Sequence, residues 1–347
     1  MSMESKFPEP DTATQSAGHL MAAELRECIR VYCAALSQDA EPVRKAISVA
    51  APRAIYTIAR GSSDAAANIV SYAAMRRWGV PVTSLPPSVF SLDNGVDLNG
   101  AVTVLISQSG ESLDLVDAIT GANARGGLSV AVTNASTSPV ALAATHVLDI
   151  SAGPELAVPA TKSVAGSIGA VMAMVAEKAE IERDCAILRG VEFRDSPLFA
   201  GLRAALAQAR SVFVIGRGCG YGTAHEVALK IKECAALHAE AYSAAEVLHG
   251  PLQMAGPDLL VVILDTGEPQ TADSLATAEN RFRASGAQVF RISPGDVISG
   301  LNAGTLMPAS NAVLLLRALY GPILLASLSL GLDPDRPQAL SKVTKTV

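Results

Sequence analysis

The amino-acid sequence predicts a doubly wound α/β protein built as two copies of one module, and three observations carry this. Short apolar, β-branched runs alternate with longer Ala-rich stretches of helical length. Near-continuous apolar strands joined by helical crossovers make a parallel sheet covered on both faces. The two halves also match each other. Residues 54–61, Ala-Ile-Tyr-Thr-Ile-Ala-Arg-Gly, match 211–218, Ser-Val-Phe-Val-Ile-Gly-Arg-Gly; residues 105–111, Leu-Ile-Ser-Gln-Ser-Gly-Glu, match 262–268, Val-Ile-Leu-Asp-Thr-Gly-Glu. Both pairs have one offset, 218 − 61 = 267 − 110 = 157. Finally, 347 residues that are 50% hydrophobic can bury the cores of about two domains.

The elements follow in order. A helix is expected over 20–36. The first half then carries strands at 54–59, 80–84, 101–107, 128–133 and 146–149, with helices that include 64–77 and 112–125. A long apolar helical run covers 164–188, and the charges and proline of 189–197 place a boundary near residue 195. Strands recur at 211–215, 239–242, 259–264 and 288–292. The expected division is an N-terminal helical segment 1–45, a phosphate-binding module 46–195, a second module 196–335 and a tail 336–347.

Composition excludes several classes. There are 27 Lys and Arg against 33 Asp and Glu, a net charge of −6, so nothing offers a footprint for a nucleic acid or an anionic membrane. Mean hydropathy is high at +0.32. The longest apolar stretch, 313–332, is interrupted by Arg317 and Gly321-Pro322, and reads as a buried helix and not a membrane span. The first residues lack a basic start and an apolar segment, so a cytoplasmic location is expected. Five dispersed cysteines without a CxxC pair read as small core residues, and five scattered histidines show no metal spacing. Neither a metal nor a cofactor is expected.

In such sheets ligands bind beyond the carboxyl ends of the strands. The turn Ser107-Gln108-Ser109-Gly110-Glu111-Ser112 joins three hydroxyls, a glycine and a helix N-terminus, the parts of a phosphate cradle; an ordinary capping turn uses the same residues. Gly61, Ser62 and Ser63 form a second hydroxyl turn expected beside it. Their duplicated partners, 217–220 and 265–268, have fewer hydroxyls and gain an Asp, which puts the anion in the first half. A nicotinamide dinucleotide site is a poor match, because Tyr221 stands where the GxGxxG fingerprint needs its last glycine. The charges Glu226, Lys230, Lys232 and Glu233 could be a solvated helix face, His249 a turn residue and Lys342 a solvated tail lysine.

Five segments bear on that choice: 107–112, Ser-Gln-Ser-Gly-Glu-Ser; 153–162, Gly-Pro-Glu-Leu-Ala-Val-Pro-Ala-Thr-Lys; 226–233, Glu-Val-Ala-Leu-Lys-Ile-Lys-Glu; 238–251, with His-Ala-Glu-Ala-Tyr and Glu-Val-Leu-His-Gly-Pro; and 335–342, with Asp-Arg-Pro and Leu-Ser-Lys. Together they resemble the tandem sugar isomerase (SIS) family, as found in the isomerase half of glucosamine-6-phosphate synthase and in the SIS-type aminosugar-phosphate deaminases.

The resemblance implies two flavodoxin-like domains that bind a hexose 6-phosphate. It implies a phosphate site at Ser107, Gln108, Ser109 and Ser112, with sugar contacts at Gly61, Ser62, Ser63, Val158, Ala160 and Ser341. Glu233 would move a proton between C1 and C2. His249 would assist ring opening from the partner subunit of a homodimer, Lys342 would form an imine with the ketose under a closing tail, and Lys230 would be a further catalytic lysine. Ala160 replaces a family hydroxyl, Pro159 stiffens the same loop, and the tail has an additional Lys345. No glutaminase domain is expected in this length.

The function expected is therefore a hexosamine 6-phosphate deaminase and isomerase, giving a ketose 6-phosphate and ammonia. The same residues suit a fructosamine-6-phosphate deglycase or a plain aldose-ketose isomerase. A non-catalytic sugar-phosphate sensor is an alternative of another class.

Overall fold

The computed structural model describes residues 16–193, 196–302 and 304–342, and the chain divides into two compact units. The N-terminal unit holds Arg30–Glu155 and Lys162–Cys185; the C-terminal unit holds 16–29, Leu156–Thr161 and Ala186–Lys342. Residues 1–15 of the expected N-terminal segment, and 343–347 of the expected tail with Lys345, lie outside the described residues.

In chain order the elements begin with α1 (His19–Leu36), which contributes to both units, and α2 (Glu41–Ala50). There follow β1 (Ala54–Ile58), α3 (Ser62–Trp78), β2 (Val82–Ser84), α4 (Ser88–Ser91), β3 (Ala101–Ser107), α5 (Leu113–Ala124), β4 (Leu128–Thr133), α6 (Pro139–Ala143), β5 (His146–Asp149), α7 (Lys162–Val175) and α8 (Lys178–Leu188). All strand pairs are parallel, in the order β2-β1-β3-β4-β5. Each residue of β3 is buried, as a central strand covered on both faces requires. Ile58, Leu105 and Ala131 pack on Leu115, Ala118 and Ile119 of α5, while α3 and α7 pack together and against the sheet.

The C-terminal unit runs α9 (Pro197–Gln208), β6 (Ser211–Gly216), α10 (Cys219–Ala235), β7 (His238–Ser243), β8 (Leu259–Leu264), α11 (Ala272–Ala284), β9 (Gln288–Ile292), α12 (Pro294–Val297) and α13 (Pro308–Ser329). Its parallel order, β7-β6-β8-β9, repeats the first four positions of the other sheet. This is the flavodoxin-like order, whose crossovers diverge between the first and third strands. Phe213, Ile215, Val261 and Ile263 form one core with Leu275, Ala278 and Phe282 of α11, and Phe213 meets the Phe282 and Tyr242 rings edge-on.

The duplication extends to backbone angles. Gly61 and Gly218 precede α3 and α10 with φ/ψ of 55/−128° and 59/−132°. A side chain is strained at such positive φ, so glycine is required in both copies.

One expectation needs correction. The helical run 164–188 is two helices, because other side chains take up the carbonyls at the end of α7. Arg44 donates to Ala173 and Ala176, and Arg77 to Val175. The Glu180 carboxylate accepts the Glu177 N–H at the start of α8, so both ends at the break are satisfied. The buried helix expected around 313–332 is present as α13, which runs through Arg317 and Gly321-Pro322. This 22-residue helix is long and apolar enough by composition to cross a membrane, but 83% of its most apolar window is buried. It packs against α9 and α10 as a core helix, and Arg317 is accommodated over the Phe193 ring at 4.3 Å.

Candidate active site

In the N-terminal unit β1 and β3 are neighbours, with Ile58 paired to Leu105. Their following turns, 61–63 and 107–112, therefore leave the same carboxyl edge at the point where the crossovers diverge. Buried Ser107 accepts the Gly110 N–H through Oγ at 3.1 Å, which folds the turn back on itself, and Gly110 takes φ 64°. Ser109 Oγ accepts the Glu111 N–H at 3.4 Å. Ser112 is the N-cap of α5 yet makes no side-chain capping bond, so its hydroxyl is not spent on the helix. Gln108, Ser109 and Ser112 are half-buried, as are Ser62 and Ser63, while Glu111 is exposed. Behind the turn, buried Asp114 is paired with Arg60. The arrangement can donate several hydroxyls and helix N–H groups to an anion.

The C-terminal unit carries the titratable groups. Glu226, Lys230 and Glu233 stand at i, i+4 and i+7, so they fall on one face of α10. That face is not solvated. Glu226 and Lys230 have no exposed side-chain surface, and Glu233 keeps 20%. The Lys230 ammonium donates to Glu233 and lies 3.6 Å from Glu226 Oε1; Tyr320 Oη, from α13, donates to the same Glu226 oxygen at 3.0 Å. Burial acts to lower the Lys230 pKa, but the two carboxylates outweigh it and the net shift is upward. Lys230 is therefore held as an ammonium at neutral pH. Burial pushes the neighbouring Cys234 thiol up to about 12, against the opposing pull of Lys230.

Glu233 lines a cavity of about 670 Å³ with Lys232, Cys234, Asp333, Arg336 and Leu340. It is thus the half-accessible end of an otherwise buried charge cluster. The tail that forms the other wall is anchored within this unit. Asp335 accepts the N–H groups of Leu20 and Met21 at 2.9 and 2.8 Å, capping the start of α1, and its carbonyl accepts the Val158 N–H at 3.1 Å. Half-buried Lys342 donates through Nζ to the Ala157 carbonyl at 2.6 Å. The Glu24 carboxylate in turn accepts the N–H groups of Leu156 and Ala157.

The structure thus brings Lys230 to Glu233, and Lys342 to the strand of chain that includes Val158 and half-buried Ala160. It places Ser341 on the exposed tail and His249 on the surface after the 3-10 turn Glu246–Leu248. Gly61, Ser62, Ser63 and the 107–112 turn belong to the other unit. Neither Tyr320 nor Arg336 is among the site residues expected from the sequence. The signal available for Arg336 was its place in the motif Asp335-Arg336-Pro337; Tyr320 gave none, being one aromatic in an apolar helix. Among the described residues, no three His, Cys, Asp or Glu side chains are grouped to hold a metal ion.

Two flavodoxin-like sheets in tandem, with hydroxyl turns at one switch point and an acid-lysine cluster beside a cavity, define a class of protein. The SIS domain model matches residues 49–177 and 205–317, and the chain belongs to that family. Among its relatives is the isomerizing glutamine–fructose-6-phosphate aminotransferase of Methanothermobacter thermautotrophicus, 30% identical over 342 residues. The match covers 93% of this chain and 57% of that protein, so the chain spans little more than half the length of this relative. A crystal structure from Silicibacter pomeroyi, provisionally assigned as a phosphosugar isomerase, is 31% identical with a TM-score of 0.77, covering 91% of this chain and 99% of that one. The glucosamine-6-phosphate deaminase of Thermotoga maritima shares the fold at 18% identity and a TM-score of 0.72, over 94% and 100% of the two chains.

Proposed function

We propose that this chain is a phosphosugar isomerase acting on hexosamine 6-phosphates, converting glucosamine 6-phosphate or a close analogue, with water, to a ketose 6-phosphate and ammonia. The observation that carries this reading is the Glu226–Lys230–Glu233 cluster opening onto a cavity through Glu233 alone. Moving a proton between adjacent carbons needs one carboxylate that can both take and return it, in partial shelter from water. Glu233 answers that description.

In this reading the 107–112 turn holds the phosphate, so binding energy remote from the reaction fixes the carbon chain. The ring opens with help from His249, whose exposure leaves it available to a partner subunit in a homodimer. Glu233 takes the C2 proton of the open-chain amino aldose and delivers it to C1. The product is a C2 ketimine. Lys230, held cationic, keeps Glu233 oriented and offsets charge that develops on the sugar oxygen. Lys342, once deprotonated, displaces ammonia from C2 as a lysine imine, and water then releases the ketose. At low free ammonia, mass action favours this direction over amination. The relatives named for fructose-6-phosphate and glucosamine-6-phosphate chemistry support a six-carbon phosphosugar as substrate.

Ammonia release measured across glucosamine, galactosamine and mannosamine 6-phosphates tests this. Release from at least one, abolished in Glu233→Gln, is the expected result. No release from any, with aldose and ketose 6-phosphates still interconverted, would leave only the simpler isomerase.

A further inference from the structure

The duplication poses a question of stoichiometry: the C-terminal unit has its own switch point, between β6 and β8, and its own pair of turns there, 217–220 and 265–268. We infer that Glu268 is a built-in anion that fills this second cradle, so that each chain takes sugar phosphate at the 107–112 turn alone. The inference rests on the phosphate reading of that first turn.

Four observations support it. The turn that opens α10 has the backbone of the turn that opens α3, glycine for glycine, within 4° in both angles. Glu268 is the counterpart of Glu111, since 111 + 157 = 268, yet the two are placed oppositely: Glu111 is exposed and Glu268 is 2% exposed. One Glu268 oxygen, Oε2, accepts the Cys219 N–H in the first turn of α10 and the Thr266 hydroxyl, each at 2.9 Å. A single carboxylate oxygen therefore bridges the turn after β6 and the turn after β8. Lastly, the carboxylate lies over Gly218, where an added Cβ would stand 2.6 Å from Oε2; the open space that glycine creates in the cradle is already taken.

The electrostatics follow. A carboxylate on the first N–H of a 17-residue helix meets the positive end of its dipole and makes a charge-assisted bond there. An incoming phosphate would lose that donor and face a like charge at close range. The N-terminal unit avoids this by holding its buried acid one turn further on, at Asp114, against Arg60; the position equivalent to Asp114 in the second copy, 114 + 157 = 271, is Thr271.

Calorimetric titration of the full-length protein with inorganic phosphate tests the inference. The wild type is expected to bind one phosphate per chain, lost in Ser109→Ala combined with Ser112→Ala. Glu268→Ser is expected to bind two, and its melting temperature, lowered in chloride, is expected to recover in phosphate at equal ionic strength. A purely structural cap would show no such anion-specific rescue. One phosphate in both proteins, or a Glu268→Ser variant that fails to fold with and without phosphate, overturns the inference while leaving the first turn intact. Two in the wild type does the same. A wild type that binds none overturns the inference together with the reading of the 107–112 turn.

Discussion

Lys230 and Glu233 are hydrogen-bonded one turn apart on α10, and they differ in access: the lysine has no exposed side-chain surface, whereas the glutamate keeps 20%. The pair therefore separates structure from chemistry. Lys230→Met leaves Glu226 buried without its cation, and breaking such a buried cluster costs about 3–5 kcal/mol. Glu233→Gln keeps the Lys230–Glu226 contact and a hydrogen-bond acceptor. Its melting temperature is expected to stay near that of the wild type while turnover falls by about 10²- to 10⁴-fold, the span of general acid-base contributions. Thermal melts beside steady-state kinetics check both halves.

Tyr320 reaches the same cluster from α13. Tyr320→Phe removes the 3.0 Å bond to Glu226 and weakens the support of a buried carboxylate, a loss of about 1–3 kcal/mol. Urea unfolding is expected to show that loss with an unchanged m-value. A variant as stable as the wild type would mean that the Tyr320 hydroxyl contributes nothing to holding Glu226.

Cys234 gives a pH signature. Burial raises its thiol from 9.0 to about 12, so between those values the folded chain keeps a proton that the unfolded chain loses. Stability from this group is complete below pH 9 and declines as pH rises toward 12; Lys230, shifted upward from 10.5, acts in the same direction at higher pH. Iodoacetamide at pH 8.5 is expected to leave Cys234 unmodified in the native protein and to alkylate it after denaturation. Rapid native labelling would show that the thiol is not shielded as described.

The assignment of His249 to a neighbouring subunit predicts complementation. Glu233→Gln and His249→Ala are each expected to be nearly inactive, and co-refolded mixtures to regain activity, because a mixed dimer contains one site with both wild-type groups. Mixtures that stay at the level of the separate variants would place both groups of a site on one chain.

Much of the fold was legible because it depends on local pattern and on duplication. Buried parallel strands are apolar along their whole length, as in Ala101–Ser107, and the offset of 157 placed the second set of turns. The fate of individual charges was not legible. Glu226 and Lys230 have the spacing of a solvated face, yet they are buried where α10 packs against α13, from which Tyr320, 94 residues after Glu226, reaches the cluster. In the second turn Asp265 pairs with Arg291 at 2.7 Å while Glu268 turns inward to 2% exposure, a difference that no local pattern shows. The end of α7 depends on Arg44 and Arg77, contributed from far earlier in the chain. The packing of Leu156–Thr161 with the tail likewise needs Asp335 and Lys342, and no local pattern announces a partner so distant.

The most direct test of the proposed proton transfer is to incubate the protein with fructose 6-phosphate in D2O and follow the C1 protons by NMR. The wild type is expected to exchange a C1 proton with solvent, and Glu233→Gln to bind the sugar but leave those protons in place. Exchange at the same rate in both proteins would mean that a group other than Glu233 moves the proton.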